Sequence, residues 1–277
     1  MDENLKKQLQ RCAYKIRMDI IESIHAAGSG HTGGSLSAAE ILAYLYFKEM
    51  NIDPENPEME NRDRFVLSKG HAAPVLYATL AERGFFPKEE LLKLRRPDSF
   101  LQGHPDKKHT PGVDISSGSL GQGVSAACGM ALSSKHFRMG ANVYALLGDG
   151  ELEEGEVWEA AMFAGNKNLS NLTLFIDYNG LQIDGPIKEV NSAEPIDEKF
   201  RAFNFHVISI NGNDIEEIDK AVTEAHSVDK PVAIVCHTVK GKGVSFMENQ
   251  ASWHGKAPND EQYAAAMEEL RAAYDKI

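Results

Sequence analysis

Four apolar segments in the second half of the chain, alternating with stretches of helical periodicity, restrict its architecture more than any other feature. Val143 to Leu147, Leu172 to Asp177, His206 to Ile210 and Val232 to Val239 are short, rich in β-branched and aromatic residues, and read as strands. Glu156 to Asn168, Pro195 to Phe203, Ile215 to His226 and Asp260 to Tyr274 read as helices. Apolar strands separated by helices predict a parallel sheet covered on both faces. The expected fold class is therefore α/β, a mostly parallel sheet with helices on both sides. Ligands of such sheets sit at the carboxyl ends of the strands.

The first half adds elements of the same kind. Leu5, Leu9, Cys12, Ile16, Ile20 and Ile24 recur at helical spacing and predict an amphipathic helix from Leu5 to Ala27. A Gly-rich stretch, Gly28 to Ser37, is expected to be a loop, with Ser37 capping a helix over AAEILAYLYFKEM. Arg64 to Ser68 reads as a strand and Ala72 to Arg83 as a helix. The segment from Arg95 to Gly123 has many Gly, Pro, Ser and His residues and little periodicity, and a helix is expected from near Gly121 to Lys135. Loops this long inside a compact domain tend to be functional. No repeat or linker divides the chain, so residues 1–277 are expected to form one domain.

Composition excludes several classes. The net charge of -12 argues against a nucleic-acid binder, which shows a basic face. No apolar run approaches the ~20 residues of a membrane span, and the polar N-terminus lacks the apolar core of a signal peptide. Cytoplasm is the default expectation. The three cysteines, Cys12, Cys128 and Cys236, are far apart and form no CxxC pair, so they read as free thiols rather than a zinc site or disulfide framework.

The most informative segment is LLGDGELEEGEVWEAAMFAGNKNLSNLTLFIDYNGLQIDG. One strand runs into Gly148-Asp149-Gly150 and the next into Tyr178-Asn179-Gly180, so neighbouring strands would place Asp149 and Asn179 within reach of one point. A hard cation such as Mg²⁺, or Ca²⁺ or Mn²⁺ in its place, takes oxygen ligands. Asp149, Asn179 and the backbone carbonyl of Leu181 fit that need. Gly150 allows a phosphate close to the backbone, with its N–H as donor. A GDG tripeptide alone reads as a plain turn; the Asn about 30 residues later at the next strand end is what adds weight. The glutamates of ELEEGEVWE also fit a solvated helix start favoured by the helix dipole, and Glu151 and Glu153 carry that reading as readily as any other.

Four of the ten histidines, His31, His71, His104 and His254, stand in Gly-rich settings. Imidazole suits hydrogen bonding to sugar hydroxyls and phosphate, and proton movement near neutral pH. His25, His109, His136, His206, His226 and His237 fall in no such motif and are read as structural.

The words GHTGGSLSAAE, LSKGHAAPVLY, QGHPD, SSGSLGQGVSAACGMA, GDGELEEGEVWEAA, KGKGVSFMEN and SWHGK, in this order over nearly the whole chain, resemble transketolases. The GDG…N pair resembles the thiamine diphosphate signature that transketolases share with deoxyxylulose phosphate synthases and 2-oxo acid dehydrogenases. The resemblance implies a thiamine diphosphate-binding fold and ketol transfer with that cofactor and a divalent metal. It implies that His31, His104 and His254 line the substrate channel, with His104 near the donor's C1 hydroxyl. His71, Gly150, Asn179, Lys240 and His254 would lie near the diphosphate. Gly118, Ser119 and Leu120 would pack beside the cofactor rings, and Leu181 and Ile183 would form an apolar wall; many relatives carry Ile where this chain has Leu181. Glu154 and Glu159 would lie at a subunit interface in the carboxylate network near the cofactor.

A common transketolase is more than twice this length. The missing pyrimidine-binding and C-terminal domains are expected on a partner chain, which would supply the glutamate that works on the cofactor's pyrimidine ring. The helical ending reads as a natural terminus. The resemblance thus implies an N-terminal subunit that is inactive alone and works in a two-plus-two heterotetramer on sugar phosphates. Another thiamine enzyme, a specialised sugar transketolase and a non-catalytic scaffold are the alternatives.

Overall fold

The computed structural model describes residues 1–277. Helix α1 (Glu3–Ala27) begins where the Asp2 side chain accepts from Leu5 N and ends at Gly28 in the left-handed region. Short helices α2 (Thr32–Leu36) and α3 (Ala39–Tyr44) follow, the latter passing into a wide helical turn, Leu45–Glu49. Then come β1 (Arg64–Leu67), α4 (Ala73–Arg83), a 3₁₀ turn at Lys88–Lys93 and α5 (Gln122–Phe137). Next are β2 (Val143–Gly148), α6 (Gly155–Asn166) and β3 (Leu172–Tyr178). A two-stranded ribbon, β4 (Leu181–Gln182) and β5 (Gly185–Pro186), leads to α7 (Ile187–Val190) and α8 (Ile196–Ala202). The chain closes with β6 (His206–Asn211), α9 (Ile215–Ala225), β7 (Val232–His237) and α10 (Asp260–Tyr274).

Five strands form one sheet in the order β1-β2-β3-β7-β6, every neighbouring pair parallel. Successive side chains of a strand point to opposite faces, and each face has its own core. Tyr144, Leu146, Phe175 and Ile234 meet α1, α3 and α4 on one side. Val143, Ala145, Leu147, Leu174 and Val235 meet α5, α6 and α8 on the other. The expected parallel sheet with both faces covered is what the chain forms. No helix is long and apolar enough to cross a membrane.

The register does the work that matters for function. Gly148 of β2 lies opposite Asp177 of β3, and Tyr178 opposite His237 of β7. The loops leaving β1, β2, β3 and β7 therefore emerge together at the carboxyl edge.

Three expectations need correction. Part of the Gly-rich stretch is helical, as α2, because its backbone is fully buried and must be paired. Ser37 caps no helix N-terminus: its hydroxyl donates to Gly34 O and to the Asp177 carboxylate at 2.6 Å, a charged acceptor. Strand β7 stops at His237: Thr238 N still donates to Tyr178 O at 3.2 Å while its Oγ1 donates to Asp177, but Val239 N donates to Asn213 Oδ1 and leaves the ladder.

The region after Leu94 is irregular as far as Gly121. It is nonetheless anchored: Asp114 takes both guanidinium nitrogens of Arg62, Tyr77 Oη donates to Gln102 O and His104 O, and Ser117 Oγ donates to Leu67 O. A Cβ on Gly70 would come within 2.8 Å of Gly118 N, so this loop lies directly on the turn after β1.

One backbone contact gives a test of the packing. A Cβ on Gly165 of α6 would sit 1.8 Å from Phe203 O, against a backbone that cannot rotate away. Gly165→Ala is expected to destabilise the fold by about 3 kcal/mol. Gly155→Ala, whose Cβ meets nothing within 4 Å, is the control. Equal thermal midpoints for the two variants would contradict the packing of α6 on this turn.

Candidate functional site

At the carboxyl edge the four loops enclose a cleft of about 260 Å³. The loop after β2 contributes Asp149 and Gly150; the loop after β3 contributes Asn179, Leu181 and Ile183. The region beyond β7 contributes Lys240 and His254, and the turn after β1 contributes His71. His31, from the start of α2, and Gly118 and Leu120, from the long irregular loop, complete the wall among the expected residues.

The oxygen-bearing corner is tightly built. Asp149 is 3% exposed, and accepts from Gly150 N at 2.8 Å and Gly180 N at 2.6 Å. Burial, and then the Asp177 carboxylate, push its carboxyl up to about 6. Asn179 donates Nδ2 to Asp177 at 3.2 Å, which directs the amide and leaves Oδ1 with a single donor, Leu181 N. The set is one carboxylate, one amide oxygen and the Leu181 carbonyl, with no cluster of three His, Cys, Asp or Glu. All-oxygen donors with so few charges suit a hard cation that keeps phosphate and water in its shell. A carboxylate held above its ordinary range by burial and by a second carboxylate is the electrostatic setting a cation relieves. A Cβ on Gly150 would lie 3.2 Å from Gln182 Cβ and narrow the gap between the two loops, so glycine there keeps the cradle open.

Lys240 defines the opposite charge. Its ammonium is 2% exposed, donates to Leu181 O at 3.1 Å and His254 Nδ1 at 3.2 Å, and makes no ion pair. Burial lowers it to about 8. A buried ammonium without a carboxylate is costly unless an anion completes it. The Lys240 bond also fixes His254 with Nδ1 as acceptor.

Three imidazoles line the cleft side by side. Ring centroids are 5.1 Å apart for His31 and His71, 5.5 Å for His31 and His254, and 5.2 Å for His71 and His254. Burial is the first cause of depression in each, holding His31 at about 4, His71 at about 2 and His254 at about 3. Neighbouring cations add to it: Arg95 beside His31, Lys69 beside His71 and Lys240 beside His254. All three are neutral bases at pH 7.

These depressed values carry a stability consequence. Below pH 6.5 the unfolded chain binds protons that the folded cluster refuses, so each histidine costs stability progressively as pH falls toward its folded value. Asp149, raised, acts in the opposite sense, so the histidines are isolated by substitution. The stability of His71→Gln relative to wild type is expected to improve as pH drops from 7.5 to 5, read from urea midpoints. A pH-independent difference would refute the neutral state of the half-buried His71.

Four expected residues lie outside the cleft wall. His104 is exposed, with its ring against Gly118, where a Cβ would meet His104 Cδ2 at 3.3 Å. Ser119 is exposed beside it. Glu154 and Glu159 are exposed at the start and first turns of α6, with Glu154 Cβ packed close to Gly121.

Other residues escaped the sequence reading. Lys69 and Asp177 form a fully buried ion pair at 2.5 Å on the cleft floor. Lys69 also donates to Gly34 O at 2.7 Å, and Asp177 accepts from Ser37, Thr238 and Asn179. Burial pushes the Asp177 carboxyl up, but the Lys69 ammonium and these donors outweigh it, and the net shift is downward. The signal available was a lysine directly after one buried strand and an aspartate closing another. Glu151 is the second: it is 2% exposed, not a solvated helix start. Its carboxylate accepts from Ser68 Oγ at 2.5 Å, Gly121 N at 2.9 Å and Gly148 N at 3.0 Å, bracing three loops.

Comparison with known proteins identifies the family. Residues 8–275 match the transketolase, thiamine diphosphate binding domain family. The chain is 49% identical over 263 residues to the 6-deoxy-6-sulfo-D-fructose transketolase subunit SqwG of Clostridium sp. (strain MSTE9), covering 95% of this chain and 96% of that one. It is 40% identical over 267 residues to an apulose-4-phosphate transketolase subunit of Phocaeicola vulgatus, covering 95% of this chain and 94% of the relative. Against human transketolase it is 44% identical over 256 residues, 92% of this chain but 41% of that protein. The crystal structure of Campylobacter jejuni transketolase superposes with a TM-score of 0.91 at 35% identity, over 98% of this chain and 43% of that one. The chain thus spans about two fifths of the length of these full transketolases and nearly the whole of the two named subunits. Its sheet, its cleft and its sequence together establish that the chain belongs to the transketolase family, with the family's thiamine diphosphate-binding α/β fold.

Proposed function

We propose that this chain is the diphosphate-binding subunit of a two-chain transketolase, which moves a two-carbon ketol unit from a ketose phosphate to an aldose. The observation that carries the reading is the buried Lys240 ammonium, which has no ion-pair partner and lies in one cleft with the oxygen set of Asp149, Asn179 and Leu181, bonded to the Leu181 carbonyl. That pairing of a cation site with an anion site suits a metal diphosphate.

Asp149, the Asn179 amide oxygen and the Leu181 carbonyl would hold Mg²⁺, or Ca²⁺ or Mn²⁺. Gly150 N–H, Lys240, His71 and His254 would face the diphosphate, and Gly118, Ser119, Leu120 and Ile183 the rings. Thiamine diphosphate supplies, when bound, the nucleophilic carbon that carries the ketol unit. The protein's own part is to hold neutral bases at the mouth. His31 and His254 are half-buried and unprotonated at pH 7, and His104 is lowered by burial and Arg95. Each can take a proton from a sugar hydroxyl.

Glu154 and Glu159, exposed beside the cleft, are read as the edge that meets the partner. The partner would carry the pyrimidine-binding domain, in a two-plus-two heterotetramer. Residues 1–277 would act as one domain in the cytoplasm. Two relatives that this chain covers almost completely are named as transketolase subunits, which supports the two-chain reading. The 49% identity to the sulfo-fructose transketolase subunit favours a specialised donor as a second reading.

The test is ketol transfer by this chain mixed with the product of the neighbouring open reading frame, with thiamine diphosphate and Mg²⁺. Xylulose phosphate and 6-deoxy-6-sulfo-D-fructose serve as donors, with each chain alone as control. Activity only in the mixture supports the proposal, and the preferred donor separates the two readings. Activity of this chain alone sinks the two-chain claim. A mixture that fails to bind the cofactor leaves only a scaffold role.

A further inference from the structure

Arg95 stands out at the mouth of the cleft. It is the first residue after the buried Leu94, and its backbone is left-handed, with φ of 62°. A non-glycine residue holds that conformation only where its surroundings impose it. Here Arg95 N donates to Leu101 O at 2.7 Å and turns the side chain back across the loop. Nη1 then donates to Ser29 Oγ at 2.9 Å, two residues before His31. The guanidinium plane lies on the Gly103 backbone: a Cβ there would be 3.1 Å from Arg95 Cζ and 3.2 Å from Nε and Nη2. Gly103 immediately precedes His104. Arg95 forms no ion pair with any carboxylate.

We propose that Arg95 is a positioning residue for ketol transfer: it clamps the His104 loop to the His31 segment and keeps an uncompensated positive charge beside both imidazoles. The geometry has two consequences. The Ser29 bond and the Gly103 contact fix the separation of two bases that come from distant parts of the chain. The charge disfavours protonation of both. Burial is the larger cause for His31 and His104 alike, and Arg95 is the next for each. His31 also faces His104, Lys240, His71 and His254, whereas Arg95 is the one charge acting on His104. Arg95 therefore has its greatest leverage on His104, the more exposed base.

The inference rests on the ketol-transfer reading for its catalytic meaning, so the test has a readout that does not depend on it. Imidazole titrations of ¹⁵N-histidine-labelled full chain are followed by NMR in wild type, Arg95→Gln and Arg95→Lys, with circular dichroism confirming the fold. His104 and His31 are expected to titrate at higher pH in Arg95→Gln, and near wild-type values in Arg95→Lys, which keeps the charge. In the two-chain mixture, kcat is expected to fall roughly tenfold to a hundredfold in both variants, the cost of a displaced catalytic group. Lysine lacks the planar fork that lies on Gly103. The acid limb of the kcat profile should move up only in Arg95→Gln. Unchanged histidine titrations in Arg95→Gln overturn the proposal, even if the mixture proves inactive and the ketol-transfer reading fails. Wild-type kcat in Arg95→Lys overturns the clamp.

Discussion

Asp149→Ala is expected to remove Mg²⁺-dependent binding of thiamine diphosphate, lowering affinity by more than about a hundredfold, since even partners of metal ligands cost 10- to 100-fold. The fold should survive it. The substitution strands the Gly150 and Gly180 amides that Asp149 now accepts from, but it also removes a carboxylate that burial and Asp177 disfavour. These effects oppose each other, so the thermal midpoint should move little while cofactor binding is lost. Calorimetric titration of the two-chain mixture with thiamine diphosphate, with and without Mg²⁺, gives the answer. Wild-type affinity in the variant would remove Asp149 from the proposed metal site.

Asp177→Ala is expected to do the reverse and damage the fold itself, by about 3–5 kcal/mol. It leaves the Lys69 ammonium, 2% exposed, without its counter-charge, and strips an acceptor from Ser37, Thr238 and Asn179. Replacing both members of such a pair by apolar residues of similar volume removes the stranded charge. The double variant Lys69→Met, Asp177→Leu should therefore recover most of the lost stability in urea denaturation. A single variant as stable as wild type would mean that this ion pair does not hold the cleft floor together.

The contrast between Asp149 and Asp177 shows how far sequence patterns reached. Both lie at strand ends and both are acidic. Asp149 was legible because it belongs to a spaced pair with Asn179, and chemistry explains the pair. Asp177 was invisible because its partner, Lys69, lies 108 positions away and meets it only through the β1-β2-β3 pairing. Glu151 escaped for the same reason: its acceptor role is set by Ser68, Gly121 and Gly148, which no local pattern associates with it. The histidines were legible as residues of interest from their glycine-rich settings. Their neutrality was not, because burial and the neighbouring cations are properties of the packed cleft.

Local physics was sufficient for the alternation of strands and helices, the two-sided core and the meeting of the Asp149 and Asn179 loops, since apolar periodicity and strand direction are written residue by residue. The helical state of Thr32–Leu36, the role of Ser37, the early end of β7 and the Lys69–Asp177 pair were decided only in the tertiary structure. Each depends on which polar groups are sealed away from water together, and a buried donor or charge takes the partner that packing brings to it, whatever its own neighbours in the chain prefer.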